Sequence, residues 1–144
     1  MARFFALLKL HGIETVIDVR RAPVSRHVPR FNKDRLGPQL TARGFEYLYR
    51  GKELGGVPSS FKGDVKRFFA ELRDKPEFIV AIGELAGLAA RQKTLILCAE
   101  ADFNRCHRHK LIEPELKSRG IAVLHIDRQG RVVAAPEDDQ LSLF

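Results

Sequence analysis

The residue types best suited to chemistry lie together between Thr94 and Arg108. This stretch begins with an apolar, β-forming run, Thr94 to Cys98, which predicts a strand buried on both faces of a sheet. A dense group of polar side chains follows at once: Glu100, Asp102, Asn104, Arg105, Cys106, His107 and Arg108. A short polar side chain such as Asp102 suits the first position of a following helix. The reactive residues therefore occupy a strand-to-helix junction, where open α/β sheets bind ligands and helix N–H groups favour anions.

The two cysteines permit three chemical interpretations. A metal site could draw on Cys98, Cys106, His107 and His109, but their spacing lacks the paired C-x2-C pattern of structural zinc. A redox pair is disfavoured because the cysteines do not form C-x-x-C. Cys106 near a helix N-terminus, beside a histidine and an arginine, has a setting that favours a nucleophilic thiolate, whereas Cys98 at a strand end is typical of a core residue. We predict no metal ligands, and we place Glu100, Cys106 and His107 nearest to any catalytic step.

Arginines beside the ends of two predicted strands indicate phosphate binding. The guanidinium group offers a planar fork that matches phosphate oxygens. Nearby carboxylates could orient these arginines, act as acid or base, or hold an ion such as Mg²⁺. The alternative is a set of surface ion pairs, which contribute little to stability. The predicted substrate- or phosphate-binding residues are Asp18, Arg20, Arg21, Cys98, Asp102, Arg105 and Arg108.

The overall composition bounds the class of protein. With 144 residues and 44% hydrophobic content, the chain can form one domain with a single core. A net charge of +7 favours polyanionic partners such as nucleic acid or nucleotides, although excess cations also serve solubility alone. No apolar run reaches the roughly 20 residues of a membrane span, and we find no signal peptide. Two cysteines are too few for a disulfide scaffold, so we expect a cytoplasmic protein.

Alternating helix and strand patterns predict a mostly parallel sheet with helices on both faces, in one α/β domain spanning residues 1–136. The segment from Lys52 to Pro58 is predicted to be a loop. The helix that begins near Lys75 is expected to bury Phe78, Ile79 and Ile82. The predicted strands are Thr15–Arg20, Phe45–Tyr49, Thr94–Cys98 and Ile121–Ile126. The predicted helices are Ala2–His11, Asn32–Arg43, Asp64–Arg73, Lys75–Arg91 and one that contains Cys106.

Residues 137–144 form an acidic tail that ends in Q-L-S-L-F. Exposed apolar side chains at a terminus are typical of docking into a partner's pocket, although the tail could instead fold back onto the core. The ending resembles the peptide by which bacterial DNA polymerases and repair factors bind the sliding clamp. This resemblance implies that Gln140 enters a small subsite and that Leu143 and Phe144 fill an apolar pocket. Leu141 completes the predicted contact.

Four motifs resemble the family known as domain of unknown function 488: V-I-D-V-R-R-A-P, F-N-K-D, E-L-G-G and C-A-E-A-D-x-x-x-C-H-R. The resemblance spans about Leu7 to Ile126. It implies a small cytoplasmic Rossmann-like domain, a three-layer sandwich without an established reaction. Members usually begin with a further strand ending in a T-I-G-H-S-like motif. This chain lacks that motif, so the resemblance implies a sheet without its usual first strand. The family's motif positions are Asp18, Arg20, Pro23, Phe31, Leu54, Gly55, Gly56, Cys98, Glu100, Cys106, His107 and Arg108.

These observations lead to one principal functional hypothesis and two alternatives. The principal hypothesis is an enzyme-like domain that acts on or binds nucleic acid or nucleotide phosphates and is recruited to DNA replication or repair by the sliding clamp. One alternative is a non-catalytic DNA- or nucleotide-binding module. The other is a thiol-based, rhodanese-like sulfur-transfer enzyme. Cofactor and oligomeric state are left open, and no membrane partner is expected.

Overall fold

The computed structural model describes residues 2–58, 61–98, 108–127 and 129–133. None of the helices in these ranges is long and apolar enough to cross a membrane. The helices are α1 (Ala2–Leu10), α2 (Lys33–Ala42), α3 (Gly51–Leu54), α4 (Val65–Arg73), α5 (Pro76–Arg91) and α6 (Glu113–Lys117), with a 3-10 turn at Pro29–Phe31 and a π-helical turn at Arg108–Ile112. The strands are β1 (Thr15–Asp18), β2 (Glu46–Tyr49), β3 (Thr94–Leu97), β4 (His125–Ile126) and β5 (Val132–Val133).

The main sheet has three strands in the order β2-β1-β3, and both pairings are parallel. Strand β1 is therefore central, and all four of its residues are buried. In register, Asp18 at the end of β1 lies between Tyr49 of β2 and Leu97 of β3. The predicted α/β, Rossmann-like single domain with a parallel sheet is confirmed.

Helices cover both faces of the sheet. Successive side chains of β1 point to opposite faces, so the strand presents apolar side chains to both layers of helices. Val16 faces α1 and α2, where it packs in one apolar cluster with residues such as Leu8 and Leu40. Ile17 faces the other way, into a larger cluster formed mainly by α4, α5 and α6. A nearly continuous apolar strand is the sequence signature of this double coverage.

Three local predictions are wrong. Strand β3 is half-buried rather than buried on both faces, because it has a strand neighbour on only one side within the described sheet. The segment Lys52–Pro58 is not all loop, since Gly51–Leu54 forms the short helix α3. Ile79 is 49% exposed because the buried stripe of α5 runs through Phe78, Ile82 and Leu85 instead.

The apolar segment Ile121–Ile126 is not the predicted central strand. Only His125 and Ile126 are extended in a ladder, and they pair antiparallel with β5. The connecting turn explains this local pairing, because the Asp127 carboxylate accepts hydrogen bonds from the backbone N–H groups of Gln129 and Arg131. These bonds, with that from Arg131 first in importance, lower the pKa of Asp127. A tight turn thus directs the segment to its sequence neighbour. The predicted domain boundary at residue 136 and the acidic tail lie outside the described residues.

Candidate functional site

The segments that follow β1 and β3 leave the sheet side by side. Asp18 pairs with Leu97 across the two strands, and the backbone N–H of Val19 donates to the carbonyl of Leu97 over 3.0 Å. The strands are parallel, so their carboxyl ends share one edge of the sheet. The sequence left open whether these two motif-bearing strands are neighbours, and the structure brings their ends together.

Asp18 is fully buried and fully hydrogen-bonded at this edge. Its two oxygens accept from Nε and Nη2 of Arg20 over 2.8 and 2.7 Å, a bidentate pair. They also accept from the backbone N–H of Arg20 over 3.1 Å and from the Tyr47 hydroxyl over 2.6 Å. A carboxylate offers about four lone-pair positions, and four donors meet it here. The sequence left two arrangements open for this carboxylate, a position near the exposed end of the strand or a paired one, and the structure shows the paired one. Its geometry suits positioning Arg20 rather than receiving a substrate proton.

The surroundings of Asp18 shift the pKa values of the groups around it. Burial raises the pKa of Tyr47, and the hydrogen bond to Asp18 and its negative charge raise that pKa further. Burial alone would lower the pKa of Arg20, but the hydrogen bond to Asp18 and its charge outweigh this effect, so the pKa lies above its ordinary value. Burial, followed by the charges of Asp18 and Glu53, also raises the pKa of Tyr49. The two phenols therefore stay neutral and the guanidinium stays charged at neutral pH.

Arg21 and Tyr49 fasten the E-L-G-G segment against the chain that leaves β1. Arg21 donates from Nε to the carbonyl of Gly56 over 2.6 Å and from Nη2 to that of Gly55 over 3.1 Å. The Tyr49 hydroxyl donates to the carbonyl of Arg20 over 3.0 Å. A side chain at Gly51 would overlap this carbonyl and the Tyr49 ring. Arg21 thus has a structural role in addition to the predicted phosphate contact.

Tyr47 and Tyr49 were missed as site residues from the sequence. They are two residues apart in β2, which places both on the same face of the sheet. Two phenols on one face of a predicted strand were the signal available in the sequence. Their hydroxyls reach across to Asp18 and to the backbone of Arg20, so β2 supplies the polar lining of this edge.

The loop after β1 holds a group of cations at the surface. Asn32 occupies the N-cap position of α2, but its side chain accepts a hydrogen bond from the backbone N–H of Ser25 over 2.7 Å and makes no capping bond. The backbone N–H of Lys33 donates to the carbonyl of Pro23, so both ends of the loop are tied together. Lys33 lies 4.1 Å above the Tyr49 ring centre. The exposed cations of this segment are Arg21, Arg26, Arg30, Lys33 and Arg35.

A family model with the description "Domain of unknown function DUF488" matches residues 1–114. The chain belongs to this family. No curated protein and no solved structure matches the chain. In this DUF488 domain, the described motif residues Asp18 and Arg20 form the buried ion pair, while Gly55 and Gly56 provide the carbonyls that hold Arg21.

The cysteine-containing motif of this DUF488 domain is described only in part. Cys98 is half-buried and packs against the cluster on the α4–α5–α6 face, whereas the Asp18–Tyr47 network lies on the α1–α2 side of the sheet. This packing resembles that of a core cysteine. The roles predicted for Glu100, Asp102, Arg105, Cys106 and His107 fall outside the described residues and stay predictions. The backbone of Arg108 begins the π-helical turn, and its predicted phosphate contact also stays a prediction.

Among the ranges that the structure covers, no group of three or more His, Cys, Asp or Glu side chains is placed to hold a metal ion. The buried carboxylate at this edge, Asp18, already has its oxygens occupied by Arg20 and Tyr47, and Asp34 is an exposed carboxylate between Lys33 and Arg35. The described part of the site therefore offers a ligand mainly positive charge and hydrogen-bond donors.

Proposed function

We propose that this chain binds the phosphates of nucleic acid or nucleotides at the carboxyl edge of its sheet. The observation that supports this proposal is the exposed basic loop, residues 21–32, which leaves the central strand beside the end of β3, together with the adjoining first turn of α2. Within the described residues, Arg26, Arg30 and Arg35 form no ion pair, so their charge is available to an anion. The net charge of +7 adds long-range attraction for a polyanion.

The loop is organised for binding rather than left as a random chain. Ser25 Oγ accepts hydrogen bonds from the backbone N–H groups of His27 and Val28 over 3.2 and 3.3 Å, and Asn32 holds the Ser25 backbone. Ordered cations lose less side-chain and backbone freedom on binding than cations on a disordered tail. Catalysis on the bound ligand by Glu100, Cys106 and His107 is the enzymatic form of the proposal, and binding alone is its non-catalytic form.

We propose further that residues 140–144 recruit the domain to the bacterial sliding clamp. The support is the sequence of the tail alone, in which Gln140, Leu141, Leu143 and Phe144 match the clamp-binding peptide. The tail peptide follows an acidic spacer, residues 137–139. Such a tail would deliver a DNA-binding domain to replicating or repaired DNA.

The double variant Arg26→Gln/Arg30→Gln tests the phosphate proposal. We expect its affinity for a fluorescently labelled oligothymidylate to fall about tenfold at low salt, because two charge-assisted phosphate contacts are lost. The slope of log K against log[salt], measured by fluorescence anisotropy, should become shallower by about 1.4, since each single-strand phosphate contact contributes about 0.7.

The matched control removes the same charge from the opposite edge of the sheet. Lys9 and Arg91 are exposed residues in the last turns of α1 and α5, the helices that lead into the amino ends of β1 and β3. The variant Lys9→Gln/Arg91→Gln should therefore keep the affinity and the slope of the unmodified protein within about twofold. Equal losses of affinity in the two double variants would show that net charge alone causes the effect, and they would contradict a site on the basic loop.

Clamp recruitment is tested by the binding of the full chain to a bacterial sliding clamp in surface plasmon resonance. We expect a micromolar or tighter Kd that is lost when residues 140–144 are deleted or when Phe144→Ala removes the terminal ring. The clamp resemblance assigns no contact to Ser142, so Ser142→Ala should bind as the unmodified chain does. Binding that survives the deletion, or no binding by the full chain, would refute this part of the proposal.

A further inference from the structure

A groove of about 950 Å³ opens between the basic loop, helix α2 and strand β2. Its volume is in the range of small-molecule sites. Pro23 and Val24 come from the loop, Lys33, Pro38 and Ala42 from α2, and Tyr47 from β2. Tyr47 lines this groove and also donates to Asp18, so one side chain connects the groove to the Asp18–Arg20 pair.

The groove depends on a close approach between α2 and β2. Gly37 is buried in α2, and a Cβ atom at this position would lie 3.0 Å from the Tyr47 ring, closer than side chains normally pack. The missing side chain allows the aromatic ring to rest against the helix backbone. Because the hydroxyl of this ring is fixed on the buried Asp18, the wall formed by Tyr47 is held in place before any ligand arrives.

The loop side of the groove exposes apolar surface that contributes little to folding. Val24 is 74% exposed, and it lies in the same loop as the exposed arginines. Together with Pro23, Pro38 and Tyr47, it presents an apolar and aromatic lining at the surface. An exposed apolar patch rimmed by charged residues is typical of a ligand site.

The charges around the groove select an anion. Lys33 lines it, and Arg26, Arg30 and Arg35 are exposed in the flanking segments, whereas Asp34 is the acidic residue in its lining. An apolar, partly aromatic surface next to several cations suits a ligand with a flat ring and a phosphate, because bases stack on such surfaces while phosphates contact the cations. Duplex DNA cannot offer a base face here, since its bases are stacked on one another.

We propose that the Pro23–Tyr47 groove receives an unpaired nucleobase, so that the ligand of the basic loop is single-stranded nucleic acid or a nucleotide rather than a duplex. This inference rests on the proposed phosphate binding and names its ligand class. The phosphates lie along Arg26, Arg30 and Lys33, and the base lies against Val24 and the Tyr47 ring. Tight binding then requires bases as well as phosphates, whereas a purely electrostatic surface requires phosphates alone.

The test compares two probes that carry the same phosphates: a labelled oligothymidylate and an abasic oligodeoxynucleotide of equal length. We expect the base-bearing strand to bind about tenfold more tightly at a salt concentration where both affinities are measurable. A base-paired duplex of the same sequence should lose most of this advantage.

Two pairs of variants locate the effect. Val24→Ser removes apolar surface from the groove, and Val80→Ser makes the same change at a valine of α5 with nearly equal exposure, 74% against 70%. Ala42→Leu fills the groove from the exposed last residue of α2, and Ala70→Leu adds the same bulk to the exposed side of α4. The groove variants should each reduce the preference for bases at least threefold, while both controls keep it. All four positions are exposed, so the variants should fold.

The possible outcomes distinguish this inference from the phosphate-binding proposal on which it rests. Equal binding of the two probes, with the effect of Arg26→Gln/Arg30→Gln intact, would refute the groove and leave phosphate binding standing. A preference for bases that both groove variants retain would place the base elsewhere and likewise overturn the inference. Failure of the protein to bind either probe at low salt would overturn both proposals.

Discussion

Replacing Asp18 with asparagine is expected to lower the free energy of unfolding by about 3–5 kcal/mol. The variant keeps the shape of the side chain but removes the charge that Arg20 faces through a bidentate contact, and Arg20 has only 11% of its side chain exposed. The new amide group would also turn a donor toward donors, since Arg20 and the Tyr47 hydroxyl both donate to Asp18. Domains of this size have a total stability of about 5–15 kcal/mol, so the loss is a large fraction.

Urea unfolding measured by circular dichroism gives the change, and the chain offers a matched control. Glu71 pairs with Arg67 through the same kind of guanidinium nitrogen, but both side chains lie in solvent, with 64% and 81% exposed. Glu71→Gln should therefore cost no more than about 0.5 kcal/mol. Similar unfolding midpoints for the two variants would show that the Asp18–Arg20 pair contributes no more than a surface contact.

The tyrosines provide a second measurement of the same network. The chain has two tyrosines, Tyr47 and Tyr49, and no tryptophan, so tyrosinate absorbance reports on this site alone. Both phenols have raised pKa values in the native protein, which is expected to titrate above the ordinary value of about 10. Because a raised native pKa favours folding below the unfolded pKa, stability should decline as pH rises above about 10. Asp18→Asn should move the Tyr47 titration back toward that value.

The sequence limited Asp18 to a position near the exposed end of its strand or to a paired one, because an unpaired buried charge is very costly in any fold. The strand itself was equally readable, since an uninterrupted apolar run from Thr15 to Ile17 requires cover on both faces. Neither argument identifies the partners. Tyr47 lies 29 residues away in the chain, and it reaches Asp18 only because β2 pairs with β1 in one register.

Strand order limited the sequence prediction in the same way. Thr94–Leu97 and Thr15–Ile17 are both rich in apolar β-forming residues, and the pattern does not show which strand lies in the centre. The order β2-β1-β3 makes β1 central and leaves β3 half-buried. Cys98 lies on the α4–α5–α6 side because side chains alternate between the two faces along a strand, and the spacing of residues within one motif does not reveal which face each of them takes. Helices and strands were thus largely predictable from local pattern, whereas contacts between elements depended on topology.

Gly51→Ala is expected to destabilise the protein by about 3 kcal/mol, at the upper end of the cost of overpacking. A Cβ atom at this buried position would overlap the backbone carbonyl of Arg20 and the hydroxyl of Tyr49. The Tyr49 ring has room to rotate only by breaking its hydrogen bond to that carbonyl, and the carbonyl itself follows directly from the central strand. The substitution must therefore push α3 away from the sheet edge.

Gly83→Ala makes the same chemical change, but the expected effect on stability has the opposite sign. Gly83 lies inside α5, and an added Cβ atom meets nothing within 4 Å, so the gain in helix propensity should stabilise the protein by about 0.5–1 kcal/mol. Thermal unfolding of the two variants should thus shift in opposite directions from the unmodified protein. A Gly51→Ala variant as stable as Gly83→Ala would mean that α3 does not press against the chain leaving β1. Helix α3 would then have no part in fixing the backbone from which the basic loop begins.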